Sequence, residues 1–318
     1  MTPEEKHAVR FIKGNKLSPP IDVEAAARLV ADVEFVAFPP YTSADGITLD
    51  PKSARPRILV NSEKPRTRQI FTLAHEIGHV VIPWHTGNIV SHLDDIDLPY
   101  TSYWLCEREA NHFAAELLMP TEWVNLLLAT HSNGIRKIYK ELLSQAEVSP
   151  IAATYRLSAI LPINYAWAVS DEFGMVAETG RTHNSTINLC SSDGSVRVDD
   201  AYRFASSRET FESGGKQYCW WYFGDQDMPE VAHTATWRDV LRKILEDVEH
   251  DPSERKRLST RISAVSGFIL GKREYNSVRE EYARVLSRFE GRSELRAVVR
   301  HRDFKTYVRL RVEEFLSK

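Results

Sequence analysis

The sequence predicts an α+β protein, because its halves differ in hydrophobic periodicity. Residues 1–162 combine helical stretches with short β-branched runs, whereas residues 163–224 alternate apolar and polar positions between glycines, as β-hairpins do. Residues 237–316 return to helical spacing. With 318 residues, 42% of them hydrophobic, the chain can form more than one core. We predict four successive parts, over residues 1–130, 131–162, 163–235 and 236–318.

The chain begins with two predicted helices and two predicted strands. The helical stretches are rich in strong helix formers, and the second has Asp22 as its N-cap. The strands are short apolar or β-branched runs next to prolines or Asn61. The predicted elements are helices over 5–13 and 22–32, strands over 33–38 and 57–61, and a loop over 41–55 with its turn at Asp45-Gly46.

A histidine pair on the next predicted helix is the strongest chemical signal in the chain. Residues 66–82 have the composition of a buried helix and contain His75-Glu76-Ile77-Gly78-His79. Positions i and i+4 share a helix face, so His75 and His79 can reach one metal ion. Glu76 is turned about 100° from His75 and lies beside that face, at the distance of a metal-bound water. The alternative is an amphipathic helix that carries these residues without a metal.

A catalytic zinc ion takes three protein ligands, so a third ligand is required. Residues 104–120 predict a second helix with an apolar stripe that ends at Pro120. Glu107 and Asn111 lie four residues apart on one edge of this stripe, and Ala110 is small enough for close helix packing. Glu107 is therefore the predicted third ligand, and Asn111 is expected to hydrogen-bond a metal-binding residue.

Other side chains on this helix are weaker ligand candidates. Glu109 and His112 point elsewhere on the helical wheel, and Cys106 is turned about 100° from Glu107. We expect Cys106 to be a buried structural residue and Glu116 to be solvated. If Glu107 is not a ligand, Glu109 or His112 takes its place.

The two motifs together resemble the ImmA/IrrE family of metallopeptidases. They are Leu73-Ala-His-Glu-Ile-Gly-His79 and Glu107-Arg-Glu-Ala-Asn-His-Phe-Ala-Ala-Glu-Leu-Leu-Met-Pro120. In this family the glutamate that opens the Glu-x-x-Ala-Asn pattern is the third metal ligand, which corresponds to Glu107. Further matching segments lie at residues 20–29, 46, 58–61 and 148–157, so the resemblance covers roughly residues 5–162.

The resemblance implies a thermolysin-like, zincin-like peptidase domain and a regulatory protein as substrate. Members cleave helix-turn-helix transcriptional repressors and related regulators, so a repressor or an antitoxin is the expected partner, and its cleavage switches on a stress, mobile-element or defence response. The metal lowers the pKa of its water and polarises the scissile carbonyl, while Glu76 acts as general base and then as general acid. Zn²⁺ is predicted from the ligand types, with another divalent ion such as Mn²⁺ as the alternative.

Two features of the substrate cleft are also expected. In thermolysin-like enzymes a strand before the motif helix pairs with the substrate, and Ile58–Val60 is the candidate here, with an ordinary core strand as the alternative. Residues 83–103 have the composition of a loop. The candidates within this loop for stabilising the developing oxyanion are His85, His92, Tyr100 and Tyr103.

Residues 131–162 predict a helix-turn-helix-like segment. Helices over 121–129 and 133–146 precede one that begins at Ser149, a suitable cap, with Pro150 in its first turn. In the resembled family this segment often packs on the peptidase domain, so DNA binding is the weaker expectation.

The C-terminal half has no ligand-like spacing of histidines, cysteines and carboxylates. Its most apolar strand, Cys219–Phe223, must be buried on both faces or form a binding surface, and we favour burial. Helices are predicted over 237–249, 251–270 and 272–316, broken near Gly291 and packed as a bundle. We expect a sensor or substrate-recruiting role, with a structural extension as the alternative.

Composition favours a cytoplasmic protein without a membrane span. The net charge of −3 gives no overall nucleic-acid signature, although residues 251–318 have 17 basic against 10 acidic side chains. Basic helices of this kind usually present their charged side chains to solvent, and we expect the same here. No apolar run reaches eighteen residues, and no signal-peptide pattern opens the chain. The three cysteines, Cys106, Cys190 and Cys219, are widely spaced, which suggests a reducing compartment.

We therefore predict a metal-dependent endopeptidase that acts on a protein substrate. A non-cleaving regulatory binding protein and a DNA-binding regulator on the same scaffold are the alternatives. Glu76 argues against the first alternative, because a decayed enzyme usually loses its base. The peptidase hypothesis is the one that explains residues 66–120 as a unit.

Overall fold

The computed structural model describes residues 1–87, 89–91, 102–130, 134–231, 236–270 and 277–317. The chain divides into two compact units, Met1–Ile160 and Leu161–Lys318. Both units contain helices and strands, so the predicted α+β class is confirmed.

The first unit contains a mixed β-sheet and a set of helices. Among the described residues the sheet has four strands in the order β1-β3-β2-β4, with β1 parallel to β3 and the other pairs antiparallel. The strands are β1 (Asp32–Val36), β2 (Gly46–Leu49), β3 (Arg57–Asn61) and β4 (Ile89–Ser91). The helices are α1 (Pro3–Gly14), α2 (Val23–Arg28), α3 (Arg66–Val81), α4 (Ser102–Leu118), α5 (Thr121–Thr130), α6 (Ile135–Gln145) and α7 (Pro150–Ile160).

The position of β3 corrects one prediction about the substrate. β3 lies between β1 and β2, and Ile58 and Val60 are fully buried. Because both edges of β3 are already paired, residues Ile58–Val60 have no free edge for an extended peptide. The edge-pairing prediction is wrong, and the alternative of a core strand is confirmed.

Two strands form where the sequence predicted loops. β2 lies within residues 41–55 and β4 within residues 83–103, and the two strands pair with each other. β2 also pairs with β3. Strands of four and three residues are too short to show a periodic pattern, so their neighbours define them.

The first helices begin at side-chain caps. The Asp22 carboxylate accepts from the backbone N–H of Ala25 at 2.9 Å, so the predicted cap of α2 is confirmed. Thr2 and Glu5 form a capping box at the start of α1.

A buried ion pair attaches α7 to the rest of the first unit. The side chains of Arg156 on α7 and Glu116 on α4 are 4% and 1% exposed and form an ion pair. The Arg156 Nε also donates to the carbonyl of Met119 at 2.8 Å. The prediction that Glu116 is solvated is therefore wrong, since an arginine about 40 residues later in the chain covers it.

The second unit begins with an antiparallel sheet in the order β6-β5-β8-β7. Its strands are β5 (Tyr165–Ser170), β6 (Val176–Arg181), β7 (Ser207–Ser213) and β8 (Lys216–Tyr222). Cys219, Trp220 and Trp221 in β8 are at most 2% exposed, so burial on both faces is confirmed. Residues 182–206 lie within the stretch in which β-hairpins were predicted, but they contain no strand of this sheet.

Helices α8 (Trp237–Val248), α9 (Pro252–Leu270), α10 (Val278–Arg288), α11 (Arg296–Arg300) and α12 (Phe304–Leu316) complete the second unit. Tyr282, Leu286 and Phe289 share one core with Phe304 and Tyr307, which confirms a packed bundle. Within the described ranges, no helix combines the length and the apolar character needed to cross a membrane.

Candidate metal centre

Close packing of α3 on α4 brings the two sequence motifs together. At Gly78 on α3, an added Cβ would lie 3.3 Å from the Cα of Ala110 on α4 and 3.3 Å from Phe113. The absence of a side chain at Gly78 and the small methyl group of Ala110 therefore let the helices approach closely, as predicted for Ala110. Leu73, Ala74 and Ile77 on α3 are fully buried, so this helix is fixed in a core.

Three potential ligands converge where the helices meet. His75 Nε2 and His79 Nε2 are 2.9 Å apart. The Glu107 carboxylate lies 3.2 Å from His75 Nε2 and 3.3 Å from His79 Nε2. The donor atoms of these three side chains all lie within 4.8 Å of one another. Among the described residues, no other group of three or more histidine, cysteine or carboxylate side chains meets this criterion.

These donor atoms fit a small divalent cation. In a tetrahedral zinc site with bonds of about 2.0–2.1 Å, neighbouring donor atoms lie about 3.3 Å apart. Both carboxylate oxygens of Glu107 are buried and lack a hydrogen-bond partner among the described residues. Two imidazole nitrogens and a carboxylate also form an ordinary zinc ligand set. A cation at this point would satisfy the Glu107 oxygens.

Asn111 and His75 interact on the side of the ring away from Glu107. His75 Nδ1 lies 2.9 Å from the Asn111 Oδ1. Because the amide oxygen can only accept, this contact places a proton on Nδ1. The predicted position of Asn111 beside a candidate ligand is thus present in the structure.

His85 holds the corresponding position behind His79. The Nδ1 atoms of His79 and His85 are 2.9 Å apart, and His85 Nε2 lies 3.0 Å from Glu109 Oε2. Trp84 donates its indole N–H to the same oxygen at 2.6 Å. His85 is fully buried and both of its ring nitrogens are engaged. It therefore has no free N–H for an oxyanion, contrary to one of the sequence expectations.

The Glu76 carboxylate is fully buried between α3 and β2. Thr48 donates its hydroxyl to Glu76 Oε2 at 2.5 Å. At Gly46 an added Cβ would lie 2.5 Å from Glu76 Oε1. Sequence reasoning missed this contact because it assigned β2 to a loop, although Ile47-Thr48-Leu49 carries a weak strand signal.

The two carboxylates at the site have opposite pKa shifts. Burial raises the pKa of Glu76 to about 7, against the positive charge of His75 and the hydrogen bond from Thr48. Burial also acts to raise the pKa of Glu107, but the close contacts with His75 and His79 and the positive charge those rings can carry outweigh it and hold that pKa at about 2. Near neutral pH, Glu107 is therefore ionised, while Glu76 can exchange a proton in either direction.

The histidines also differ in pKa. Burial lowers the pKa of His79 to about 4, although Glu107 acts in the opposite direction. Burial also lowers the pKa of His85, against the effect of Glu109. For His75, burial acts to lower the pKa, but Glu107 more than compensates and the pKa is raised. A neutral His79 beside an ionised Glu107 is the protonation state that binds a cation.

Several other sequence candidates lie away from this cluster or outside the described residues. His112 pairs with Glu4 at 2.7 Å, and half-buried Cys106 is absent from the ligand cluster. His92 and Tyr100 fall outside the described residues, as does the side chain of Tyr103.

A largely apolar groove of about 780 Å³ lies between α3, α4 and α7. It reaches Asn111, which contacts His75. Tyr155 on α7 is 57% exposed at this groove. The main apolar residues of its lining are Phe71, Met119, Val148, Ile151 and Tyr155.

Sequence comparisons find relatives of the segment that contains both motifs. Residues 33–158 match the sequence model of a peptidase family described as the IrrE N-terminal-like domain. The chain is 31% identical over 164 residues to the radiation response metalloprotease IrrE of Deinococcus deserti, which covers 51% of this chain and 57% of that protein. The IrrE of Deinococcus radiodurans is 34% identical over 112 residues, or 35% of this chain and 34% of that protein.

The matches thus span between a third and three fifths of those relatives. A transcriptional regulator from Mycobacterium tuberculosis is a structural neighbour with 13% identity over 70% of this chain and 82% of its own. Its TM-score of 0.37 is too low to establish a common fold. The matched residues include both motifs, so the predicted family resemblance is confirmed.

Proposed function

We propose that this chain is a metal-dependent endopeptidase, because residues 33–158 match the IrrE N-terminal-like domain of a peptidase family. The observation that carries the proposal is the convergence of His75, His79 and Glu107 beside a buried Glu76. The three converging residues are proposed as metal ligands and Glu76 as the catalytic base. Zn²⁺ is the proposed ion, with Mn²⁺ as the alternative.

The bound ion would polarise the scissile carbonyl and acidify the attacking water. Glu76 takes a proton from that water and later delivers it to the leaving nitrogen. A pKa of about 7 suits a group that must both accept and give up a proton near neutral pH. Thr48 holds one oxygen of this carboxylate, which fixes the direction in which the other oxygen points.

We propose a protein substrate, namely a helix-turn-helix transcriptional repressor or an antitoxin-like regulator. The family resemblance supports this choice, and the relatives' designation as radiation response metalloproteases supports a role in a stress response. The apolar groove beside Asn111 offers a surface for a polypeptide. The reaction is proposed to occur in the cytoplasm, which agrees with three free cysteines.

The DNA-binding alternative has less support from α7, the second helix of the predicted helix-turn-helix-like segment. Arg156 is the one basic residue of this helix, and its side chain is 4% exposed and paired with Glu116. A recognition helix needs exposed basic or polar side chains that reach phosphates and bases. The face of α7 that carries Ile151 and Tyr155 instead borders the apolar groove.

Residues 163–318 are proposed to sense a signal or recruit the substrate. Their separation as a compact unit, Leu161–Lys318, is the observation in favour. The full chain and residues 1–162 would be compared for cleavage of one identified substrate. Equal rates and equal substrate choice under all conditions tried would leave only a structural role.

The main experiment uses Glu76→Gln to separate metal binding from cleavage. New protein N-termini are mapped by mass spectrometry after a lysate is treated with wild-type protein, with Glu76→Gln, or with wild-type protein plus a chelator. We expect cleaved regulators with the wild-type protein alone, and about 10²–10⁴-fold slower cleavage by the variant, because an amide cannot accept the proton.

Metal analysis provides the matched control for this experiment. Glu76→Gln should retain one divalent ion per chain, whereas His75→Ala, His79→Ala and Glu107→Ala should lose it. Full metal content in Glu107→Ala would remove Glu107 from the ligand set. Unimpaired cleavage by Glu76→Gln would show that another residue is the base.

A further inference from the structure

A continuous series of contacts leads outward from His79 to the surface of α4. His79 Nδ1 contacts His85 Nδ1 at 2.9 Å, and His85 Nε2 contacts Glu109 Oε2 at 3.0 Å. A turn follows α3, in which the backbone N–H of His85 donates to the carbonyl of Ile82. This turn brings the His85 side chain back towards His79 on α3. His79 and His85 are fully buried, while the Glu109 side chain is 24% exposed.

Donor and acceptor chemistry fixes where the protons lie in this series. Trp84 has an indole N–H and no acceptor, so Glu109 Oε2 accepts from it at 2.6 Å. An ionised carboxylate also accepts from His85, so the proton of a neutral His85 is on Nε2. His85 Nδ1 is then an acceptor, and only a proton on His79 Nδ1 can complete the 2.9 Å contact.

We infer that His85 and Glu109 are positioning residues that set the tautomer of His79, leaving the lone pair of its Nε2 directed at the metal. Asn111 does the same for His75 through a single amide oxygen. The tautomers of the two candidate ligands are therefore set by different groups. An amide oxygen sets that of His75, and a second histidine with a carboxylate sets that of His79. The inference rests on the proposed metal centre.

This arrangement has a measurable consequence for metal affinity. Without an acceptor behind it, neutral His79 can place its proton on Nε2, and this proton must be lost or moved before a cation binds. Removing such a partner behind a metal-binding histidine typically costs about 10–100-fold in metal affinity. His85→Leu and Glu109→Leu should each weaken metal binding, the first more strongly, because His85 contacts His79 directly.

The variants would be tested by competition of Zn²⁺ and Co²⁺ against a chelating indicator in the full chain. We expect His85→Leu to raise the Kd about 10–100-fold. His85→Asn, whose Oδ1 can replace Nδ1 as the acceptor, should recover most of the affinity. Adding Glu109→Leu to His85→Leu should cause little further loss, because the two residues act in series.

The tautomers themselves can be read in the metal-free protein. Long-range ¹H–¹⁵N NMR spectra of histidine-labelled protein distinguish Nδ1–H from Nε2–H rings. We expect His79 to carry its proton on Nδ1 in the wild-type protein and in His85→Asn. In His85→Leu a population with the proton on Nε2 should emerge, a change that a purely structural role of His85 would not produce.

His112→Leu is the matched control, because His112 also pairs with a carboxylate, Glu4 at 2.7 Å, and lies on α4 outside the ligand cluster. Its Kd should equal that of the wild type. Wild-type affinity in His85→Leu, or an Nε2–H tautomer of His79 in the wild-type protein, would overturn the inference. If the wild-type protein bound no metal, the proposed metal centre would fail, and the His79 tautomer would still decide this inference.

Discussion

Replacing Gly46 by alanine is expected to disable Glu76 without disturbing the metal ligands. The added Cβ would lie 2.5 Å from Glu76 Oε1 and 2.6 Å from the methyl carbon of Thr72, whereas ordinary van der Waals contact begins at 3.4 Å. Glu76 or β2 must therefore move by about 0.9 Å to restore normal contact. Neither His75, His79 nor Glu107 is among the nearest atoms to the new methyl group.

The displacement has a predictable magnitude in stability and in rate. Adding a methyl group to a fully packed site typically costs about 1–3 kcal/mol in the free energy of unfolding. A displacement of about 1 Å at a reacting group lowers the rate about 10²-fold. The 2.5 Å hydrogen bond from Thr48 holds Glu76 Oε2, so the carboxylate has little freedom to move aside.

Three measurements on Gly46→Ala test this reasoning: the rate of substrate cleavage, the metal content and denaturant unfolding. We expect about 10²-fold slower cleavage, full metal content and a loss of about 1–3 kcal/mol. Gly14→Ala is the matched control, since a Cβ at Gly14 meets nothing within 4 Å. It should leave the cleavage rate and the metal content unchanged and should not lower the free energy of unfolding, because alanine is a better helix former than glycine. Cleavage at the wild-type rate by Gly46→Ala would refute the close approach of β2 to Glu76.

Two further predictions concern buried charges outside the metal centre. Arg156→Met should lower the free energy of unfolding by about 3–5 kcal/mol in chemical denaturation, because it leaves the Glu116 charge buried without its partner. The double variant Arg156→Met with Glu116→Leu should recover most of this loss, and Lys13→Met, which removes the exposed Lys13–Glu122 pair, should have little effect. Equal losses in the single and double variants would contradict this reading. In the second unit, burial raises the pKa of Glu290 to about 7. The folded state then holds this proton more tightly than the unfolded state, so the stabilisation is complete below about pH 4.5 and is lost as the pH rises through about 7, by about 3 kcal/mol. Unfolding curves between pH 5 and 8 should show this decline in the wild type and not in Glu290→Gln; parallel declines would assign it to another group.

The sequence alone was sufficient for the chemical core of the candidate site. The i, i+4 spacing of His75 and His79 requires a shared face as soon as residues 66–81 form a helix. Glu107 and Asn111 follow from the same rule on α4. Ala110 indicated close packing, and the contact at Gly78 shows how that packing is achieved. The convergence of these side chains was predictable because helical periodicity is a local property of the chain.

The residues that contact the candidate site from other segments could be identified only from the tertiary structure. Nothing local indicates that Thr48 and Gly46 meet Glu76, since β2 is a four-residue strand defined by its pairing with β3 and β4. The interior position of β3 was likewise not predictable, and the sequence analysis had expected this strand to pair with the substrate. Glu116 was predicted to be solvated and is covered by Arg156, which lies 40 residues away in the sequence.

The contact between His85 and His79 illustrates the difference between what the sequence predicts and what tertiary packing decides. Composition assigned His85 to a loop and left its role open, because a turn of a few residues has no periodicity from which to read a direction. The structure directs it back onto His79, where burial and Glu109 determine which nitrogen carries the proton. The sequence thus predicted which side chains converge as candidate metal ligands, through their spacing along two helices. Which groups orient those residues depends on contacts between distant segments, and these form only when the chain packs.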